Sequence, residues 1–417
     1  MARAGLFILL LLHVAICCVS LVAVSRLQPS MPFERQYLAH AVPLVSAFSL
    51  ASVLFVFARF SFGYFVGFYL YTLVVGFLWL SNFSKLHYDT RLAAASAAVS
   101  AILFLLPALF INTPFRQIVV LSRQNFERLL LAILLIALAT IAAGASYNFK
   151  PVSLSHIYEF RDDAQFPAVV RYLTGIVPNA LLPFAFASYL ALRAYWKAAF
   201  ALLLLPLFYP ILLSKLILFA PVWILALLAA SLVLRTRLIV VLSLTVPIAL
   251  GTILIGLLAH KHAYPYFNIV NIRMIATPSA ALDIYNDFFA HHPHTWFCQV
   301  SIVQRLIGCP YHEQLAVVMQ DTYRLGNLNA SLFATEGVAS VGPYLAPLVA
   351  LVCGLVIAMG NRASAGLPPR FILLSGSILP QVLLNVPLTI TMVTYGGGLL
   401  FVLWYVMPRS IFEQTSA

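Results

Sequence analysis

Apolar stretches of about 20 residues, the length that crosses a bilayer as a helix, follow one another along the whole chain. About twelve such windows can be placed by hydropathy. They run approximately over residues 5–24, 41–60, 62–81, 92–112, 129–146, 167–192, 198–214, 216–234, 238–259, 336–359, 371–387 and 389–408. The first begins after Arg3 and ends in small residues, as a signal peptide would. Its apolar length and the many spans behind it favour a retained helix.

Two connections are long. The first covers 146–166, "SYNFKPVSLSHIYEFRDDAQF". The second covers 260–335 and holds too many apolar stretches and aromatics to be a linker. Within it, "PSAALDIYNDFFAHHP" predicts a helix that starts at Pro278 or Ser279 and ends at Pro293. The stretch "HEQLAVVMQDTYRL" predicts a second. On the first helix Asp283 and Asp287 are four apart and share a face, while Tyr285 points elsewhere. No internal repeat of the kind that builds many transporters is visible. The expected architecture is a single all-α membrane domain over 1–417, polytopic, with about 12 transmembrane helices and one large folded outer loop.

Composition agrees: 63% hydrophobic and 9% charged residues, with a mean hydropathy of +0.98, exclude a soluble globular protein. Charge sets the orientation. With both termini cytoplasmic, the inner connections carry Arg59, Arg116, Arg123, Arg128, Arg193, Lys197, Arg235, Arg237, Arg362 and Arg370, against a single acid, Glu127. That is the positive-inside pattern, and it puts both long connections outside. The net charge of +12 is therefore a topological signal and does not indicate nucleic-acid binding.

Of the five cysteines, Cys17, Cys18 and Cys353 fall in predicted spans as small buried hydrophobes. Cys298 and Cys309 share the large outer loop, where an oxidising compartment permits a disulfide; their pairing is open at this point. No CxxC or Cys/His zinc spacing is present.

An ionisable group at membrane depth costs roughly 2.5–3.5 kcal/mol on insertion scales, so each one calls for a reason. Lys215 stands between two apolar runs. It is either an outer turn residue snorkelling to the headgroups or a cation held where an anionic lipid headgroup lies. Arg161 has the same two readings, with Asp162 and Asp163 beside it as ion-pair partners. His291, His292 and His294 either cap a helix end or form an acid–base site. A histidine of ordinary pKa can take a proton from a hydroxyl nucleophile at neutral pH. Arg273 offers a bidentate fork to a phosphate, so Arg273 with a following histidine suits a reaction whose leaving group is a phosphate. The HHxH spacing matches no standard metal-ligand pattern. Asn327 and Asn329 are either turn formers or contacts to sugar hydroxyls. Glu336, where the tenth span begins, is either a helix-dipole acid or a substrate contact. Tyr285 joins them as a candidate substrate contact.

The "N-x-N…F…EG…VG" approach to a late span, the "YEFRDD…P" stretch, the "YP…SK…FAP" turn and the "R…P…Y…FF…HP" outer loop together resemble the Wzy-type O-antigen polymerases, over about residues 155 to 345. The resemblance implies the type C membrane fold of lipid-linked glycosyltransferases and a glycan donor carried on undecaprenyl diphosphate. It implies a metal-independent enzyme of the bacterial inner membrane with a periplasmic active site and no cofactor. Arg161, Lys215 and Arg273 would be diphosphate-binding or catalytic cations, with His294 in the same site; which histidine serves as base stays open, and the mechanism considered gives that role to His294. Membrane lipids are implied partners, and a chain-length regulator is a further candidate.

Three rivals differ in class or acceptor. An O-antigen ligase shares topology and donor and transfers to lipid A core instead. A lipid-linked oligosaccharide flippase should line a path with charges inside its spans, which here are nearly uncharged. A membrane acyltransferase should carry a histidine at membrane depth, and His13 alone lies deep in a predicted span.

Overall fold

The computed structural model describes residues 3–152, 166–258, 260–326 and 328–412. In chain order the helices that matter here are α1 (Arg3–Ser25), α2 (Arg35–Phe57), α3 (Phe62–Leu80), α4 (Thr90–Phe110), α5 (Arg123–Tyr147), α6 (Ala168–Ala191), α7 (Tyr195–Leu212), α8 (Lys215–Val233), α9 (Thr236–Leu257), α10 (Thr277–His291), α11 (Leu315–Tyr323) and α12 (Phe333–Ser364). All but α10 and α11 are long and apolar enough to cross a membrane, ten in all among the described residues. The described residues contain no strand, and the chain is an all-helical, multi-pass membrane protein.

Ten long spans replace the expected twelve because the last two windows are broken. Residues 371–387 and 389–408 resolve into four short helices, Pro369–Ser375, Leu379–Leu383, Leu388–Val393 and Gly397–Val406. Gly376 ends the first, Pro387 stands just before the third, and Gly396, at φ +80°, precedes the fourth. A hydropathy window counts apolar residues and does not weigh these breakers.

The chain expected as one domain divides into two compact units. The first joins Met1–Ile111, Arg237–Ala358 and Gln381–Thr389; the second joins Asn112–Thr236, Met359–Pro380 and Ile390–Ala417.

In the first unit α3 is buried along its whole length, as befits a helix that is apolar on every side. The α1 helix packs on it and leaves Ile8, Leu12 and Val19 exposed, where a membrane helix meets lipid. The region expected as a large outer loop starts as helix. His260–Phe267 runs through a π-helical stretch, Asn268–Ala276, directly into α10. Pro278 therefore lies inside a continuous helical run, near the start of α10, and the helix stops at His291, two residues before Pro293. The second predicted helix forms as α11, within the expected 312–325. Contact between α10 and α3 is close because Gly76 has no side chain: a Cβ there would run into the Ser279 Oγ. Ser279 instead donates its hydroxyl to the Leu73 carbonyl at 2.9 Å.

In the second unit Phe184 of α6 meets Phe126 of α5 and Phe371 edge-on, at 6.2 and 6.0 Å between ring centres. Trp404 is fully buried and donates its indole N–H to the Ser375 hydroxyl at 3.0 Å. The Pro369–Ser375 helix thus packs its aromatic side chain against α6, and the Gly397–Val406 helix packs against it in turn.

Candidate functional site

Three histidines close together in sequence are placed differently by the end of α10. His291 and His292 direct Nδ1 at the carbonyl oxygens of Asp287 and Phe288, at 2.9 and 2.8 Å. A carbonyl only accepts, so both rings donate Nδ1–H and satisfy carbonyls of the last turn. His292 also stacks on Phe288, with ring centres 3.9 Å apart. These two are helix caps.

His294 lies past the cap and is half-buried. Its ring faces Phe289 at 6.1 Å and meets Trp296 edge-on at 6.4 Å. Its Nδ1 is buried and has no hydrogen-bond partner among the described residues. Burial pushes its pKa below the usual value and so favours the neutral form that a general base requires.

The segment around His294 is fixed to the start of α12. Thr295 and Trp296 donate their backbone N–H groups to the carbonyls of Ala339 and Ser340, at 2.8 and 3.1 Å. The Thr295 and Ser340 hydroxyls are 3.2 Å apart. Gly342, at φ +76°, kinks α12 just beyond. The imidazole occupies the space that any other residue at 342 would fill with its side chain.

α12 opens with a π-helical turn, Phe333–Ala339, which carries Glu336 six residues before that kink. Glu336 is 6% exposed. One carboxylate oxygen accepts from the Thr389 backbone N–H and hydroxyl, at 2.8 and 2.9 Å; the other accepts from the Thr335 hydroxyl at 2.6 Å. Glu336, Thr335, Ser340, Thr389, Gln299 and Phe297 line a cavity of about 20 Å³, enough for about one water. Arg273 also sits in a π-helical stretch, and its side chain is exposed between buried Ile272 and Ile275. Such π turns are rare and recur at functional sites, because the extra residue re-aims the side chains that follow.

The two aspartates of α10 do share a face, and it is turned toward the connection between α3 and α4. Asp283 accepts from the Ser84 hydroxyl at 2.8 Å and from the Tyr88 hydroxyl. Asp287 accepts from the His87 backbone N–H at 2.7 Å and from the Tyr323 hydroxyl at 2.5 Å. Burial raises the Asp283 pKa to about 6, against the lowering effect of its two hydroxyl donors. The same burial, with the neighbouring carboxylates, pushes the Tyr88 and Tyr323 phenols well above their usual value. Sequence reading reached the shared face but not Ser84, Tyr88 and Tyr323, which arrive from distant parts of the chain.

The expected site residues thus separate. Arg273, His294, Asn329 and Glu336 belong to the first unit. Asn329 is exposed, and Glu336 is engaged by two threonines. Tyr285, expected to contact substrate, is fully buried, with its hydroxyl 3.4 Å from the Leu328 carbonyl; it is a core side chain here. Lys215 belongs to the second unit, half-buried at the first position of α8 after a turn in which Leu213 takes φ +51°. Arg161 and Asn327 lie outside the described residues.

Cys298 and Cys309 are joined in a disulfide, with Cα atoms 5.3 Å apart. Cys17, Cys18 and Cys353 are free. Among the described residues no group of three or more His, Cys, Asp or Glu side chains is arranged to hold a metal ion. No protein family, curated protein or solved structure matches the chain.

Proposed function

We propose that the chain is a membrane glycosyltransferase that polymerises lipid-linked oligosaccharide repeat units, O-antigen or a related surface polysaccharide, at the periplasmic face of the bacterial inner membrane. His294 carries the reading. It is a neutral imidazole with an unpartnered ring nitrogen, held on a segment fixed by backbone hydrogen bonds, beside two histidines that serve only as caps. A base of that kind suits deprotonation of a hydroxyl. The exposed guanidinium of Arg273 in the same unit suits a departing phosphate.

In the reaction, a sugar hydroxyl of one lipid-linked repeat unit attacks the anomeric carbon of the growing chain. His294 takes the hydroxyl proton as the new glycosidic bond forms. The bond from the anomeric carbon to the diphosphate oxygen breaks, and undecaprenyl diphosphate leaves with the electron pair. Arg273 stabilises the charge that develops on the diphosphate. The compartment assigned to the site lacks nucleotide sugars, so the donor must arrive already activated on a lipid. Asn329, with Asn327, binds sugar hydroxyls, and both termini are cytoplasmic.

The test is a gel of surface polysaccharide from cells in which the chain has been deleted and then restored. Loss of a polymerase leaves lipid A core capped by a single repeat unit, and restoration returns the long ladder. Bare core with long polymer stranded on its carrier would assign the ligase reaction instead. Arg273→Ala and His294→Ala should each reproduce the deletion while the protein stays inserted and abundant. Long polymer from both variants would remove those residues from the site.

A further inference from the structure

Just after His294, two successive non-glycine residues hold left-handed backbone: Trp296 at φ 49° and Phe297 at φ 63°. Such backbone is strained for a residue with a Cβ and persists only where its surroundings over-determine it. On one side the determinants are the Thr295 and Trp296 hydrogen bonds to α12. On the other side is the crosslink. Cys298 follows the strained pair directly and is tied to Cys309 across an excursion of 11 residues that includes the helix Ser301–Ile307.

The returning chain brings Tyr311 back to the start of the same segment. Its hydroxyl donates to the Pro293 carbonyl at 2.7 Å, one residue before His294. Its ring packs on Phe288 and Phe289, each at 6.0 Å, and Phe289 is the ring that faces the His294 imidazole with 23° between planes. Tyr311 therefore bears on His294 twice, through the backbone before it and through the aromatic ring beside it. Cys309, two residues earlier, holds the chain there.

We infer that the Cys298–Cys309 disulfide and Tyr311 form an oxidation-dependent clamp that sets the orientation of His294. Two thiols surrender two electrons and two protons to a disulfide of the surrounding compartment, which becomes two thiols, and the histidine is locked in place. Tyr311 is a positioning residue. The consequence for activity rests on the glycosyl-transfer reading; the clamp itself does not. A chain not yet exposed to an oxidising compartment holds the imidazole on a segment free to relax from its left-handed turn, so the clamp couples assembly of the site to arrival on the oxidising side.

The experiment uses the full chain in detergent and diethyl pyrocarbonate, which carbethoxylates neutral imidazole nitrogens, followed by peptide mass mapping. His291 and His292, both held by carbonyls of α10, are internal references. The variant Cys298→Ser/Cys309→Ser and dithiothreitol-reduced wild type should label His294 several times faster than oxidised wild type, with the references unchanged. Tyr311→Phe removes only the hydroxyl, keeps the ring packing, and should fall between. Equal His294 labelling in oxidised wild type and the double serine variant overturns the clamp. If His294→Gln keeps full polymer output, the glycosyl-transfer reading fails while the labelling result stands on its own. If His294→Gln loses output and labelling never responds to oxidation, the clamp fails alone.

Discussion

Tyr88 donates its hydroxyl to Asp283 across 195 residues of sequence, tying the connection between α3 and α4 to the middle of α10. Asp283 is 9% exposed and, among the described residues, is offered hydroxyl donors, Tyr88 and Ser84. Removing one donor leaves a buried carboxylate under-satisfied, so Tyr88→Phe should destabilise the protein by about 1–3 kcal/mol. The sign of the pH dependence follows from burial. The folded pKa of about 6 lies above the unfolded value near 3.9, so the folded state holds the proton more tightly. Stability contributed by this group is present below about pH 4 and is lost as pH rises to about 6. Asp283→Asn should flatten that slope in thermal unfolding recorded from pH 4 to 7 in detergent. An unchanged slope in the variant would assign the titration to another group.

Gly342 makes room for His294 in two ways. Its backbone stands at φ +76°, and a Cβ at this position would lie 2.9 Å from the His294 Nε2. Gly342→Ala must therefore strain the kink and displace the imidazole. If His294 is the base of the proposed glycosyl transfer, a shift of about 1 Å can cost on the order of 100-fold in rate, so polymer output should fall far more than protein abundance does. A variant with full output would separate the kink from the chemistry.

Much of the first unit is legible in local spacing. The apolar residues of α10 recur at helical intervals, Asp283 and Asp287 are four apart, and Cys298 and Cys309 share one connection. What the spacing does not carry is which partner each polar group meets. His291, His292 and His294 look equivalent in sequence, yet two reach carbonyls one turn behind them and the third falls beyond the helix, where the Ala339 and Ser340 carbonyls fix its segment. Tyr285 reads as a polar aromatic on a candidate face and is buried because the chain around Leu328 covers it. The π-helical stretches leave no local signature, since one extra residue per turn is imposed by packing. The broken windows at 371–408 did carry a signal, in Gly376, Pro387 and Gly396, which apolarity alone hides.

Glu336 holds the Gln381–Thr389 piece of the first unit through Thr389. Glu336→Gln replaces one acceptor oxygen with an amide N–H₂. At the Thr389 position the amide would meet two donors, and at the Thr335 position it is accepted only when that hydroxyl gives its proton to the Ser331 carbonyl, so one hydrogen bond to the carboxyl is lost either way. The expected loss is about 1.5–3 kcal/mol, the range for hydrogen bonds to a charged group. Thr389→Val keeps the backbone N–H donor and should cost less. Thermal unfolding of the two variants gives the order; Thr389→Val as the worse of the two would mean that the threonine hydroxyl, and not the carboxylate, organises this end of α12.

On the proposed glycosyl-transfer reading, the pH profile of polymer formation tests His294 as the base directly. Burial lowers the His294 pKa, so the ring stays neutral below the usual histidine value near 6.5. Activity should be flat through neutral pH and fall only when the pH drops through that lowered pKa, because the protonated ring has no lone pair left to accept the hydroxyl proton. Reducing the Cys298–Cys309 bond should move the acidic limb upward, as a released imidazole regains water and its ordinary affinity for a proton. Initial rates with purified lipid-linked repeat units in detergent, measured from pH 4 to 8 with and without reductant, give both limbs. An acidic limb near the ordinary histidine value in the oxidised protein would place the catalytic proton on a solvated group, and His291 or His292, both exposed at the end of α10, would be next to be replaced.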